Sequence, residues 1–290
     1  MRDLFNQKKV VTSFEVFPPK ADDNIQIVFN SVKRIWDLSP DYISITRGAG
    51  GSEVGMDSVD IAAKLTHDYD VNTVAHLTCI NTDRKNIDDT LNRLEDSGIK
   101  NILALRGDII GDGSKERDFD YATDLIEYIN ERGGFNVCAA CYPEGHSESD
   151  SIDKDIRVMQ IKAGLGVTHF ISQLFFDNND FYNMLELMDK NNIEVPVQAG
   201  IMPLISIKLL NRIVRLSGAK IPSRLSKLIS RYQDNPECLF NAGINYAIEQ
   251  MNDLIASGVK GIHIYAMNNP YLAEKIASNI FPITNALNEK

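Results

Sequence analysis

Eight short runs dense in β-branched and aromatic residues recur along this chain, with amphipathic helical patterns between them. The runs are VVTSFEVF (10–17), DYISIT (41–46), NTVAHLTC (72–79), NILALRGD (101–108), NVCAACYP (136–143), HFISQLFF (169–176), EVPVQAGIMP (194–203) and GIHIYAMN (261–268). Each is short enough for a strand. Between them, Val28, Val32, Ile35 and Trp36, then Ile87, Leu91 and Leu94, then Leu209, Ile213 and Leu216 recur at spacings of three and four. That spacing puts them on one face of a helix. Glycine closes several of these patterns, as in LEDSGIK, RLSGAK and IASGVK, the usual left-handed stop. Near-continuous apolar strands alternating with helices predict an α/β fold whose parallel sheet is covered on its faces, and eight such units predict a closed (β/α)8 TIM barrel. The 290 residues, 43% of them hydrophobic, are then one catalytic domain over 1–290. The stretch AKIPSRLSKLISRYQDNPE (219–237) predicts an inserted helical segment before the last strand. An open doubly wound sheet is the competing fold, but its dinucleotide fingerprint is missing. In RGAGGSEVG (47–55), Gly48 and Gly50 are followed by Glu53 where the third glycine belongs. These glycines read instead as a loop that lets backbone approach a ligand closely.

A formal net charge of -10 and a pI near 5.0 argue against a nucleic-acid or anionic-membrane partner. The start MRDLFNQKKVV has no apolar core for a signal peptide, and no segment approaches a membrane span; a cytoplasmic protein is expected. Four cysteines in a chain this long are no disulfide framework. Cys138 and Cys141 spell C-x-x-C, yet on a strand residues three apart point to opposite faces, so small core residues are the favoured reading.

In a barrel of this kind the working groups stand at the C-terminal ends of strands. Those ends carry Ser13 and Glu15, Thr46, His76 and Thr78, Arg106 and Asp108, Tyr142 and His146, Gln173, and Tyr265 with Asn268. Any one of these polar groups could do no more than bind loop backbone. Glu15 is harder to explain structurally. It shares a strand face with Ser13 and Phe17, and burying an unpaired carboxylate favours its protonated form. Such a group is suited to general acid work; the alternative is a salt bridge to a lysine or arginine elsewhere in the barrel. Arg106 and Asp108 share parity and could simply neutralise each other. His76 has no second ligand at metal-binding spacing, and no metal is predicted.

The motifs SFEVFPPK, ISITRGAGG, AHLTC, LALRGD, YPEGH, SQLFFD, GIMP and GIHIYAMN stand in order at the eight strand ends. Together they resemble the methylenetetrahydrofolate reductase family over nearly the whole chain. The resemblance implies a (β/α)8 flavoprotein that reduces 5,10-methylenetetrahydrofolate to 5-methyltetrahydrofolate, hydride passing from NADH or NADPH to FAD and then to the folate. It implies that Glu15 is the general acid that helps open the methylene bridge, and that Asp108 is a carboxylate near flavin and pterin. It assigns Thr46, His76, Arg106, Asp108, Tyr142, His146, Asp155 and Lys162 to FAD, and Ser13, Glu15, Gln173 and Tyr265 to the substrate. A homo-oligomer is expected. The sequence also departs from the family: Ile207 stands where an aromatic follows GIMP, and Asn269 where several relatives place an arginine for the folate's glutamate tail. That contact is left to another residue, or lost. The chain ends with the barrel, so the regulatory C-terminal domain of eukaryotic relatives is expected to be absent. Two other readings remain: another FAD-binding barrel oxidoreductase of the proline-dehydrogenase kind, and a subunit fed electrons by a partner protein.

Overall fold

The computed structural model describes residues 1–18, 25–47, 58–108 and 117–289. Pro19, Lys20 and the glycine loop with Gly48, Gly50 and Glu53 lie outside the described residues. Eight parallel strands, β1 (Val11–Val16), β2 (Tyr42–Ile45), β3 (Thr73–Thr78), β4 (Asn101–Leu105), β5 (Asn136–Cys141), β6 (Phe170–Ser172), β7 (Val197–Ile201) and β8 (Gly261–Tyr265), close in sequence order into a barrel. The closing pair is β1 with β8, in the register Ser13↔His263 and Glu15↔Tyr265. Around it stand α1 (Arg2–Gln7), α2 (Ile25–Trp36), α3 (Ser58–Tyr69), α4 (Arg84–Asp96), α5 (Ala122–Arg132), α6 (Ile152–Gly164), α7 (Asn178–Lys190), α8 (Ile207–Ser217), α9 (Ser223–Tyr232), α10 (Pro236–Ala256) and α11 (Pro270–Asn288). Among the described residues no helix is long and apolar enough to cross a membrane.

The alternation of side chains along each strand builds two apolar layers. Phe14, Ile43, Ala75, Ile102 and Ile264 point outward into the main core, where helices cover them. Phe14, for example, meets Phe281 of α11 at 6.0 Å between ring centroids. Each large side chain buried this way stabilises the fold by about 1.5–3 kcal/mol. Val11, Tyr42, Val74, Leu103, Cys138 and Ile171 point inward and fill the N-terminal end of the barrel with Phe5 of α1. Cys138 thus lies inside the barrel while Cys141 belongs to the outer layer. Burial pushes both thiols up, leaving neither poised as a thiolate.

Two elements differ from the sequence expectation. Helix α1 was not anticipated, because six residues are too few to show a helical period; Phe5 nevertheless plugs the barrel, 4.6 Å from the His169 ring. The inserted helix is α9, and α8 before it turns a different face inward from the one expected. Leu210 is buried, with Ile207, Ile213 and Val214 half-buried beside it, while Leu216 is 65% exposed. Of Leu209, Ile213 and Leu216, Ile213 alone packs with that cluster: the helix sits on the barrel mouth against Met202, Leu204 and Tyr265, which selects the Leu210 side.

Candidate active site

Inside the barrel mouth, one run of polar contacts leads to Glu15. Tyr42 gives its hydroxyl proton to Gln198 Oε1, so the Gln198 amide presents its NH2 to Ser13 Oγ at 3.2 Å. Ser13 Oγ is also hydrogen-bonded to His263 Nδ1, at 2.7 Å. The other ring nitrogen of His263, Nε2, faces Glu15. This nitrogen is buried, makes no hydrogen bond, and lies 3.5 Å from Glu15 Oε2. On the other side His76 Nε2 lies 3.7 Å from the same oxygen and is hydrogen-bonded to Ser44 Oγ at 2.5 Å. Burial pushes His76 down to about 4, against the opposing pull of Glu15, so it is neutral at physiological pH. Glu15 is 8% exposed. No lysine or arginine pairs with it among the described residues, and the two imidazoles take the place of the salt bridge considered above.

Tyr265 flanks this group, its ring edge-on to His263 at 5.2 Å and its hydroxyl donating to the Ser172 carbonyl at 2.9 Å. Burial, and then the charge of Glu15, raise its phenol well above the ordinary value. A Cβ at Gly200 would lie 2.2 Å from that carbonyl and 2.9 Å from the hydroxyl, so only glycine leaves the bond its room. Gln173 follows β6 directly, and its Oε1 accepts from Leu174 N at 2.9 Å. Asp108 is exposed beyond β4, and Asn268 clasps the Phe17 backbone through two 2.8 Å bonds.

A second group lines a cavity of about 480 Å³ between the ends of β4 and β5 and helices α5 and α6. Arg106, Tyr142, His146, Asp155 and Lys162 all face it. Serine 151 starts α6 by capping Lys154 N. That helix carries Asp155, which accepts from His146 N at 2.9 Å, and Lys162, whose Nζ donates to the Ala140 carbonyl at 2.9 Å. Burial pushes Lys162 down to about 8 and Tyr142 up to about 12. Arg106 does not pair with Asp108. Its guanidinium forks onto Glu148 at 2.6 and 2.8 Å, because the loop after β5 brings that carboxylate over it. Three of the exposed large hydrophobic residues, Tyr121, Val158 and Ile161, also line this cavity.

His76, expected with the cofactor group, sits with Glu15 inside the barrel, and Thr46 and Asp108 are not among the residues lining the cavity. Thr46 Oγ1 is buried without a hydrogen-bond partner. His263, Ser44, Gln198 and Glu148 were not singled out in the sequence. His263 could have been, since it stands two residues before Tyr265 and so shares its face; Glu148 and the apolar cavity wall carry no such spacing signal.

The sequence model of the family described as methylenetetrahydrofolate reductase matches residues 1–281. The chain belongs to that family. It is 29% identical over 286 residues to 5,10-methylenetetrahydrofolate reductase of Escherichia coli, covering 96% of this chain and 95% of that protein. It is 30% identical over 295 residues to methylenetetrahydrofolate reductase (NADH) 1 of Arabidopsis thaliana, covering 97% of this chain and 50% of the plant protein. The chain thus spans about half the length of that plant member of the methylenetetrahydrofolate reductases and nearly all of the bacterial one. Among solved structures it is similar in fold to an uncharacterized protein from Clostridium thermocellum that binds two copies of 5-methyl-5,6,7,8-tetrahydrofolic acid, with TM-score 0.70, 16% identity and coverage of 98% of this chain and 99% of that one.

Proposed function

We propose that this chain, as one catalytic domain over residues 1–290, reduces 5,10-methylenetetrahydrofolate to 5-methyltetrahydrofolate, with FAD as its cofactor and NADH or NADPH as donor. The observation that carries this reading is the carboxyl of Glu15, held at the barrel mouth between His76 and His263. Family membership supplies the reaction class. The Arabidopsis relative is named for NADH, and the similar fold from Clostridium thermocellum binds the product-type folate; both favour the same assignment.

The cavity beside the mouth suits a dinucleotide. Arg106, Lys162 and His146 offer charge and donors to a diphosphate, while Tyr121, Val158 and Ile161 offer the exposed apolar wall that a flat base covers. Tyr142 and Asp155 complete the cavity set, with Thr46, His76 and Asp108 on the barrel side. The unpartnered Thr46 hydroxyl is a group that a ligand would satisfy. Bound there, the flavin would supply the hydride for the methylene carbon. Glu15 gives a proton to a folate nitrogen as the methylene bridge opens. His263 Nε2, 3.5 Å from Glu15 Oε2, would steady the carboxylate left behind when it carries a proton, and Ser13 holds the ring in place through Nδ1. The negative charge of Asp108 favours the iminium cation. Gln173, with its amide oxygen taken by Leu174 N, presents its NH2 to the pterin, and Tyr265 forms the adjoining wall.

Anaerobic titration tests the reading. The purified protein is expected to be yellow and to bleach with NADH or NADPH. A colourless protein that added FAD leaves unchanged overturns the flavin assignment. A bound flavin that neither nucleotide reduces moves the donor to a partner protein.

A further inference from the structure

From Val195 to Gln233 the chain holds no acidic residue and seven basic ones, within a protein of formal net charge -10. Three of the seven, Lys208, Arg212 and Arg215, recur on α8 at intervals of four and three, which makes one stripe along the helix. All three are exposed, on the side opposite buried Leu210. The helix begins just past β7, and the turn that follows it returns to the loop after β5, where Lys220 N donates to Glu144 Oε2 at 2.9 Å. Helix α8 therefore lies along the rim of the barrel mouth above β6, its apolar side in the cluster that contains Tyr265 and its cationic side in solvent. Among the described residues, Lys220 pairs with Glu144 and Arg224 with Glu249, whereas Lys208, Arg212 and Arg215 have no acidic side chain within 4 Å. The turn after β8 supplies no cation in their stead. Asn269 there caps α11, its Oδ1 accepting from Leu272 N at 3.1 Å, and Asn268 is committed to the Phe17 backbone.

We propose that Lys208, Arg212 and Arg215 bind the chain of γ-linked glutamates that a folate carries, a polycarboxylate leaving the barrel mouth along α8. This rests on the folate reading above. An acidic protein surface repels such a chain nearly everywhere, so an acid-free cationic stripe on the rim is where it settles. At 1.5 Å rise per residue the stripe spans about 10 Å, the scale of a few linked carboxylates and far below the roughly 800 Å² that each partner buries in a stable protein interface.

The test is to titrate the oxidised, FAD-loaded protein with 5-methyltetrahydrofolate bearing one or five glutamates, following the flavin absorbance. The pentaglutamate is expected to bind on the order of tenfold more tightly at low salt, the equivalent of a few exposed ion pairs, and its advantage is expected to shrink as salt is added. In the variant K208Q/R212Q/R215Q the ratio is expected to fall to about one. Arg212→Gln alone, at an exposed position, shifts it in the same direction by less and serves if the triple variant does not fold. A parent ratio of one overturns the proposal, as does a variant that keeps the parent ratio, which assigns the stripe to another anion such as an acidic protein. If the parent binds neither form, the folate reading itself fails and this inference with it.

Discussion

At the scale of single residues, a run of hydrogen bonds fixes which groups face Glu15 in the mouth. Tyr42, Gln198 and Ser13 hold the His263 ring so that Nε2 faces Glu15. Replacing His263 with Asn removes the ring nitrogen beside Glu15, and the folate half-reaction is expected to slow roughly tenfold and change its pH profile, while reduction of the flavin by nicotinamide falls much less. Stopped-flow measurement of the two half-reactions across pH 6–9 checks this; equal losses in both would mark a merely structural histidine. Glu15 was legible because a carboxylate on an apolar strand, two residues from a serine of the same face, has few structural reasons to be there. His263 obeys the same parity rule, but a histidine in a core strand carries no such signal by itself. The cross-strand register Ser13↔His263 is what makes it distinctive, and no single strand reveals a register.

At the scale of elements, the cavity between α5 and α6 carries two charges that the proposed FAD would meet. Lys162, pushed down to about 8 by burial, loses its positive charge as pH rises through that value. FAD affinity of the apoprotein is therefore expected to weaken between pH 7 and 9, and Lys162→Met is expected to flatten that dependence; fluorescence titration of free FAD reads both. Glu148 occupies the fork of Arg106, so the diphosphate of the proposed FAD would have to displace it. Glu148→Gln is expected to tighten FAD binding up to roughly fivefold, the value of one exposed ion pair. Packing around the inserted helices is less forgiving. A Cβ on Gly243 of α10 would lie 1.8 Å from the Leu204 carbonyl oxygen, and Gly243→Ala is expected to cost roughly 1–3 kcal/mol, read as a lower urea midpoint. The strands, and helices such as α2 and α4, were legible from period alone. The face of α8 was not, because its apolar residues lie on more than one side and only the barrel mouth decides which of them is covered.

At the scale of the whole molecule, a barrel interior filled with neutral polar side chains makes stability depend on acid. Burial pushes His76 down to about 4 and His169 down to about 3, against an ordinary value near 6.5. Below pH 6.5 the unfolded chain therefore binds protons that the folded chain refuses, and stability falls as pH drops toward 4, by about 1.4 kcal/mol per pH unit for each histidine. Urea midpoints at pH 7 and pH 5 are expected to differ accordingly, and a His169→Gln variant should show a shallower fall. Closure of eight strands was legible in the sequence because each unit repeats the same alternation. Which strand ends meet across the mouth was not, since it depends on the stagger of the closed sheet. The central claim concerns Glu15, and a single-turnover experiment reaches it most directly. Enzyme carrying reduced flavin is mixed anaerobically with 5,10-methylenetetrahydrofolate, and flavin reoxidation is followed in the parent and in Glu15→Gln. A loss of about 100-fold or more in the variant, with flavin still bound, is the predicted result; reoxidation at the parent rate would contradict the account.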